Sequence, residues 1–469
     1  MKVKRIISGL SAITIAIASF LPIQVKADGY WPDTVEVQAP AAIVIDVDTG
    51  TILYEKNVHE TFYPASITKV LTALCVLENS DINDQITFSH DAVYLNEYDS
   101  SHIARDVGEV MTVEQCLYAL MLASANECAW ALGEHAAGDI DSFIQMMNDK
   151  AKELGCQDSH FVNPNGLHDA DHYVSAYDMG LIAAAAYKNP KFAEICGTEK
   201  YVIPPTNVHS EETYLTNHHK MLHYYKTSKF IYPYCVGGKT GYTDPARFTL
   251  VTYAQKDGMT IAVVVLNEAN DVQWVDTAKL CDYVFDNFSV YNVASNAQLS
   301  GGTKKDLEGK LSQNIDLIKI DNKGTVILPK TVEFSDAQSV LTAINDPANP
   351  SIVGRLSYSY AGRNVGGADI RFESQSGVEF PFANIAEEDG GGTYNFTTVD
   401  YKPFLYGFLI IVAVVVVVIF FAKQWGAIYL FFRKRINYRN NRKPKSNLKK
   451  IDHSYRSGNP HRKRRRRRW

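Results

Sequence analysis

The chain has 469 residues, with 47 Lys and Arg against 52 Asp and Glu and a net charge of −5, so it exceeds one ordinary domain and has no overall basic bias toward nucleic acid. Seven cysteines, an odd number at ordinary abundance, argue against a disulfide framework; whether one pair bridges is left open. His218 and His219 with His223 lack an accompanying carboxylate pattern, so neither metal nor cofactor is expected.

Lys2, Lys4 and Arg5, an apolar run from Ile6 to Leu21 and then Val25-Lys26-Ala27 form the three parts of a secretory signal, residues 1–27. Ser66-Ile67-Thr68-Lys69 follows Tyr63-Pro64-Ala65 and leads into Val70, Leu71, Ala73, Leu74, Val76 and Leu77, spaced as on one helix face. Three residues apart on a helix, Lys69 is within reach of the Ser66 hydroxyl. Ser124-Ala125-Asn126 breaks a helical stretch from Val113 to Leu122, and the break predicts a turn presenting both side chains. Ser175 with Asp178 reads as a capping box for a helix over Ala176 to Tyr187. Lys239-Thr240-Gly241 precedes an alternating run, Phe248 to Tyr253, whose hairpin partner is Ile261 to Leu266 across Lys256-Asp257-Gly258; the motif is expected to start an edge strand.

Alone, each triplet is weak: Ser66 reads equally as an N-cap and Lys69 as a solvated charge. In this order, with this context, they describe a serine acyltransferase. A serine hydroxyl needs a neighbouring base to attack an amide, and Lys69 serves only if burial or a nearby cation such as Lys239 lowers its pKa.

These motifs resemble those of the low-molecular-mass penicillin-binding proteins, the serine D-alanyl-D-alanine carboxypeptidases of peptidase family S11. Ala41 to Asp46 with Asp48-Thr49-Gly50 is similar to that family's opening hairpin. Phe161 to Leu167 with His172 to Met179 is similar to its loop-then-helix segment; the likeness spans roughly residues 39 to 386. The resemblance implies that Ser66, Lys69 and Ser124 are catalytic, with Ser124 relaying a proton to the leaving amine. It further implies that Asn126 holds substrate backbone, that Lys239 and Thr240 bind a terminal carboxylate, and that Gly241 permits close approach. The oxyanion hole would be the N–H groups of Ser66 and Tyr242. Ser159 to Asp169 contains no glutamate of the kind that activates water in class A β-lactamases, so penicillin is expected to inhibit rather than be destroyed. Two departures stand out: Arg247 replaces a usual glycine, and Gln273 replaces a usual basic residue. Arg247 is read either as a carboxylate contact replacing that basic residue or as a solvated strand residue.

The expected fold is α/β: a β-lactamase/transpeptidase-like catalytic domain (28–289) closed by a helix from Val275 to Phe288, then a small β-sandwich (290–386). A flexible linker (387–403) containing Glu387-Glu388-Asp389 and three glycines follows. Phe404 to Ala422, about 19 residues without charge, is long enough to cross a bilayer. About 18 cations against the single acid Asp452 follow, so the tail (423–469) is expected in the cytoplasm and the catalytic domain outside. Without the signal and tail the chain keeps about 25 cations against about 51 acids, roughly −26, which excludes nucleic acid as a partner. The expected partners are peptidoglycan stem peptides ending in D-Ala-D-Ala, β-lactams as covalent inhibitors, and the membrane. A DD-endopeptidase acting on existing cross-links would use the same residues. A non-turnover β-lactam sensor signalling through the membrane helix is the alternative from another class.

Overall fold

The computed structural model describes residues 30–95, 99–297, 318–344, 349 and 351–372. The expected signal, linker, membrane span and basic tail lie outside the described residues. Among the described residues no helix is long and apolar enough to cross a membrane.

A five-stranded antiparallel sheet organises the catalytic part. It comprises β1 (Ala41–Asp46), β2 (Ile52–Lys56), β3 (Cys235–Thr243), β4 (Arg247–Lys256) and β5 (Met259–Glu268), in the order β2-β1-β5-β4-β3. Every residue of β1 is buried because both faces of the sheet are covered. Ile43, Ile45, Val251, Tyr253 and Val264 face the helical region. Ala42, Val44, Leu250, Val263 and Val265 face the opposite way, toward Trp274, Leu280 and Val284 of the last helix of this part. This is the period-two alternation of a strand made apolar on both sides.

A layer of helices covers the first face: α1 (Lys69–Asn79), α2 (Val113–Tyr118), α3 (Asn126–Ala137) and α4 (Ile140–Glu153) pack among themselves, and α1 also packs on α5 (Ala176–Tyr187), which lies on β1 and β5; α6 (Val272–Asn287) covers the second face. Thr112 and Gln115 close a reciprocal capping box at α2. Ser175 caps α5 by accepting from the Asp178 N–H, as the sequence predicts, but the other half of the box is absent. The Asp178 carboxylate turns instead to the N–H groups of Gln157 and Asp158 and the Ser159 hydroxyl, pinning the segment that precedes residues 161–167. Lys239-Thr240-Gly241 lies in the middle of β3 rather than at its start, because the strand already pairs with β4 from Cys235. β3 is the edge strand.

The C-terminal part begins at Phe288, directly after α6, with β6 (Phe288–Asn292). β7 (Ile318–Ile320), β8 (Thr325–Pro329), β9 (Gln338–Ala343), β10 (Ile352–Tyr360) and β11 (Arg363–Phe372) follow. A β-sandwich was expected here. Among the described residues these six strands form a single antiparallel sheet, because β11 pairs with β10 along one edge and with both β8 and β7 along the other. Its own core contains Val326, Leu328, Leu356, Tyr358 and Val365. Arg363 ties it to the catalytic part, 3.0 Å from Glu55 and stacked 5.0 Å from the Trp31 ring centre. All seven cysteines are free thiols.

Candidate active site

Ser66 sits in a short 3₁₀ turn, Ala65–Thr68, that runs straight into α1. Ala65 is held in the left-handed region at φ 51°, a conformation that costs a non-glycine residue energy and marks a constrained turn. The constraint comes partly from β4, whose Thr249 hydroxyl donates to the Pro64 carbonyl at 2.7 Å.

Lys69 opens α1 with its side chain fully buried. Its Nζ lies 3.0 Å from Ser66 Oγ, 2.6 Å from Asn126 Oδ1 and 2.6 Å from the Asn165 carbonyl oxygen. The two amide oxygens can only accept, whereas the Ser66 hydroxyl can also donate. A neutral amine has two N–H groups and one lone pair, so this trio leaves the lone pair aimed at the serine proton. Burial first, and then the charge of Lys239, hold Lys69 well below the usual lysine range, while Glu127 pulls the other way.

The second motif is delivered by a break in the helix, as its sequence predicts. Ala119–Ala123 widens to a π turn, Ser124 ends it in the left-handed region at φ 62°, and α3 begins at Asn126. Lys239 Nζ donates to Ser124 Oγ at 3.1 Å and to the Thr240 carbonyl at 2.9 Å. Burial lowers its pKa to about 7. With its carbonyl oxygen engaged by Lys69, Asn126 has only its amide nitrogen left for a ligand.

Ser66, Ser124, Asn126, Thr240, Gly241 and Tyr242 line one cleft of about 630 Å³. A Cβ at Gly241 would lie 3.0 Å from the Ser66 nitrogen and would overlap the Thr249 hydroxyl, so only glycine lets β3 run this close to the turn. Gly166, at φ 83°, lies under the Ala65 carbonyl in the same way and seats the Asn165 loop on Lys69. His172, read from sequence as structural, is buried and bonds Thr68 Oγ1 at 2.9 Å.

Arg247 is not brought to the cleft. It is exposed, in the left-handed region at φ 57°, and pairs with Thr243 directly beside the turn that closes the β3–β4 hairpin. His218, Lys220 and Trp274 do line the cleft, as does Gln273, and sequence reasoning assigned no role to the first three. His218 and Lys220 enter from an irregular stretch with no periodicity to mark it; the apolar residue Met221 beside them was the only local cue to burial.

The sequence profile of the D-alanyl-D-alanine carboxypeptidases matches residues 27–270, just over half of the chain. The chain belongs to that family. It is 30% identical over 350 residues to D-alanyl-D-alanine carboxypeptidase DacF of Bacillus subtilis, covering 71% of this chain and 86% of that one. It is 31% identical over 249 residues to D-alanyl-D-alanine carboxypeptidase DacB2 of Mycobacterium tuberculosis, covering 52% and 81%. Among solved structures, the Streptomyces K15 DD-transpeptidase is 28% identical with a TM-score of 0.50, covering 54% of this chain and 100% of that one. Membership makes this D-alanyl-D-alanine carboxypeptidase family chain a serine hydrolase of the penicillin-binding fold.

Proposed function

We propose that this chain removes the terminal D-alanine from peptidoglycan pentapeptide stems through an acyl-enzyme on Ser66. The observation that carries the reading is Lys69 Nζ, 3.0 Å from Ser66 Oγ with two obligate acceptors on its other side. Ser66 passes its proton to Lys69 as Oγ attacks the carbonyl of the penultimate residue. The oxyanion develops against the N–H groups of Ser66 and Tyr242. Lys239 and Ser124, 3.1 Å apart, return a proton to the departing amine. The Asn126 amide nitrogen holds the substrate backbone, and water then releases the acyl group. Penicillin follows the same path as far as the acyl-enzyme and stops there: its expelled amine stays tethered to the acyl group and keeps the place that departing D-alanine vacates for water, and Ser159 to Asp169 offers no glutamate to compensate. The apolar run from Phe404 to Ala422 and the basic tail support a single membrane anchor with the catalytic domain outside. The test is incubation of the purified chain with an N-acylated peptide ending in D-Ala-D-Ala. Free D-alanine is the expected product, and no release under conditions where penicillin still binds would contradict the reading.

A further inference from the structure

The cleft carries a third lysine besides the two of the motifs. Lys220 lines it where α6 begins, with Nζ 3.0 Å from Asp271 Oδ1 and lying 5.5 Å and 5.7 Å from the ring centres of Phe230 and Trp274. The aromatic faces and Asp271 fix the ammonium at the cleft wall, and one ion pair uses only one of its three protons. Between Asp271 and Trp274 stands Gln273, only 4% exposed, lining the same cleft with its Oε1 bound to nothing. A buried amide end without a partner is costly, and an amide turned over presents two N–H donors instead. A cation and an unmatched amide from adjacent points of the chain's fold are the pieces of an anion site.

The reaction supplies the anion. Cleavage of a C-terminal residue requires a free carboxylate one residue beyond the scissile bond. Lys239 gives two of its three N–H donors to Ser124 and the Thr240 carbonyl and does not itself line the cleft, and Arg247 lies outside it. His218 is kept neutral, its pKa lowered to about 4 by burial and by Lys239 and Lys226. We propose that Lys220 and Gln273 form the subsite for the free carboxylate of the outgoing amino acid. The assignment rests on the carboxypeptidase reading above and names the residues by which the site selects a free C-terminus.

The experiment compares, for the full-length protein in detergent, kcat/KM on an N-acylated D-Ala-D-Ala peptide and on the same peptide amidated at its C-terminus. Lys220→Met keeps an apolar stem over Trp274 and removes the charge. It should lower kcat/KM on the free-carboxylate peptide by about 10- to 100-fold, the scale of a lost charged hydrogen bond. Turnover of the amidated peptide should stay within about threefold, which also reports that the variant is folded. Lys220→Arg should keep the preference for the free carboxylate, and Gln273→Arg added to Lys220→Met should restore it by returning a cation to the same subsite. Equal loss on both peptides, no loss on either, or no recovery with Gln273→Arg would overturn the assignment. Failure of the underlying reading has a different signature, since the unaltered protein would then cleave neither peptide.

Discussion

The chemistry turns on which lysine is neutral. Lys69 has two acceptors and one hydroxyl around it, and burial beside Lys239 lowers its pKa, so it is built to take a proton. Lys69→Met should therefore lower acylation by about 10²- to 10⁴-fold, the usual worth of a general base, measured with a chromogenic β-lactam. An acylation rate within threefold of the unaltered protein would remove Lys69 from the mechanism. Lys239 sets the other limb. Its pKa is about 7, so it is cationic below that pH and loses its charge above it. Reaction that needs the Lys239 charge should fall as pH rises through about 7, and reaction that needs neutral Lys69 should fall as pH is lowered, giving a bell-shaped kcat/KM profile. A profile that climbs without an alkaline limb to pH 9 would contradict the charged role of Lys239. At this scale the motif residues were legible because helical spacing alone puts Ser66 and Lys69 on one face. The Asn165 carbonyl was not, since a backbone acceptor has no side-chain signature. Lys220 was hidden for a related reason: its meaning comes from Trp274 and Asp271, more than fifty positions along the chain.

At the scale of elements, the site exists because an edge strand is pressed against a helix start. Gly241 makes that possible, and Thr249 fastens it to Pro64. Gly241→Ala should push β3 away from the Ser66 nitrogen and widen the oxyanion site. The expected loss in acylation is about 10²- to 10³-fold, comparable to removal of one oxyanion donor, with the thermal midpoint lowered by only a few degrees. Loss of folding with no separable catalytic effect would show Gly241 to be packing alone. The strands of this sheet were readable from their alternation, but the position of the third motif within β3 was not. Gly237 and Gly238, both buried, carry no alternation signal, so the first half of the strand is invisible to a pattern search. Among the described residues the C-terminal strands join in one sheet where a sandwich was expected, because short alternating strands look alike in either arrangement and the double pairing of β11 leaves no mark in the sequence.

At the scale of the whole molecule, buried histidines set the acid limit of stability. His172 and His219 are buried, and their pKa values fall from 6.5 to about 3, mainly through burial. Between those values the unfolded chain holds protons that the native state refuses, so stability is lost progressively as pH falls below 6.5. Each histidine contributes a slope of about 1.4 kcal/mol per pH unit. His218, lowered to about 4, adds a third such group, while Glu268, raised to about 8 by burial and then by Asp276, and Asp46, raised to about 6 by burial, work in the opposite direction and offset about two of the three between pH 6 and 5. Replacement of the buried ring by a non-titrating amide, His219→Gln, should flatten the pH dependence of the unfolding free energy between pH 6 and 5 by about one proton's worth. An unchanged slope would show that His219 is protonated in the native state. Arg363, Glu55 and Trp31 join the second sheet to the first hairpin.

The proposed reaction depends on one covalent bond. Ser66 lies in the cleft with the Lys69 amine 3.0 Å away and two obligate acceptors on the other side of that amine, whereas the Lys239 amine beside Ser124 bonds only one further acceptor, the Thr240 carbonyl. Intact-mass measurement after incubation with benzylpenicillin, followed by peptide mapping, tests it directly. The predicted result is a single long-lived penicilloyl adduct on Ser66, absent from Ser66→Ala. An adduct on the Ser66→Ala protein, or rapid return of the unaltered protein to its free mass with hydrolysed penicillin accumulating, would contradict it.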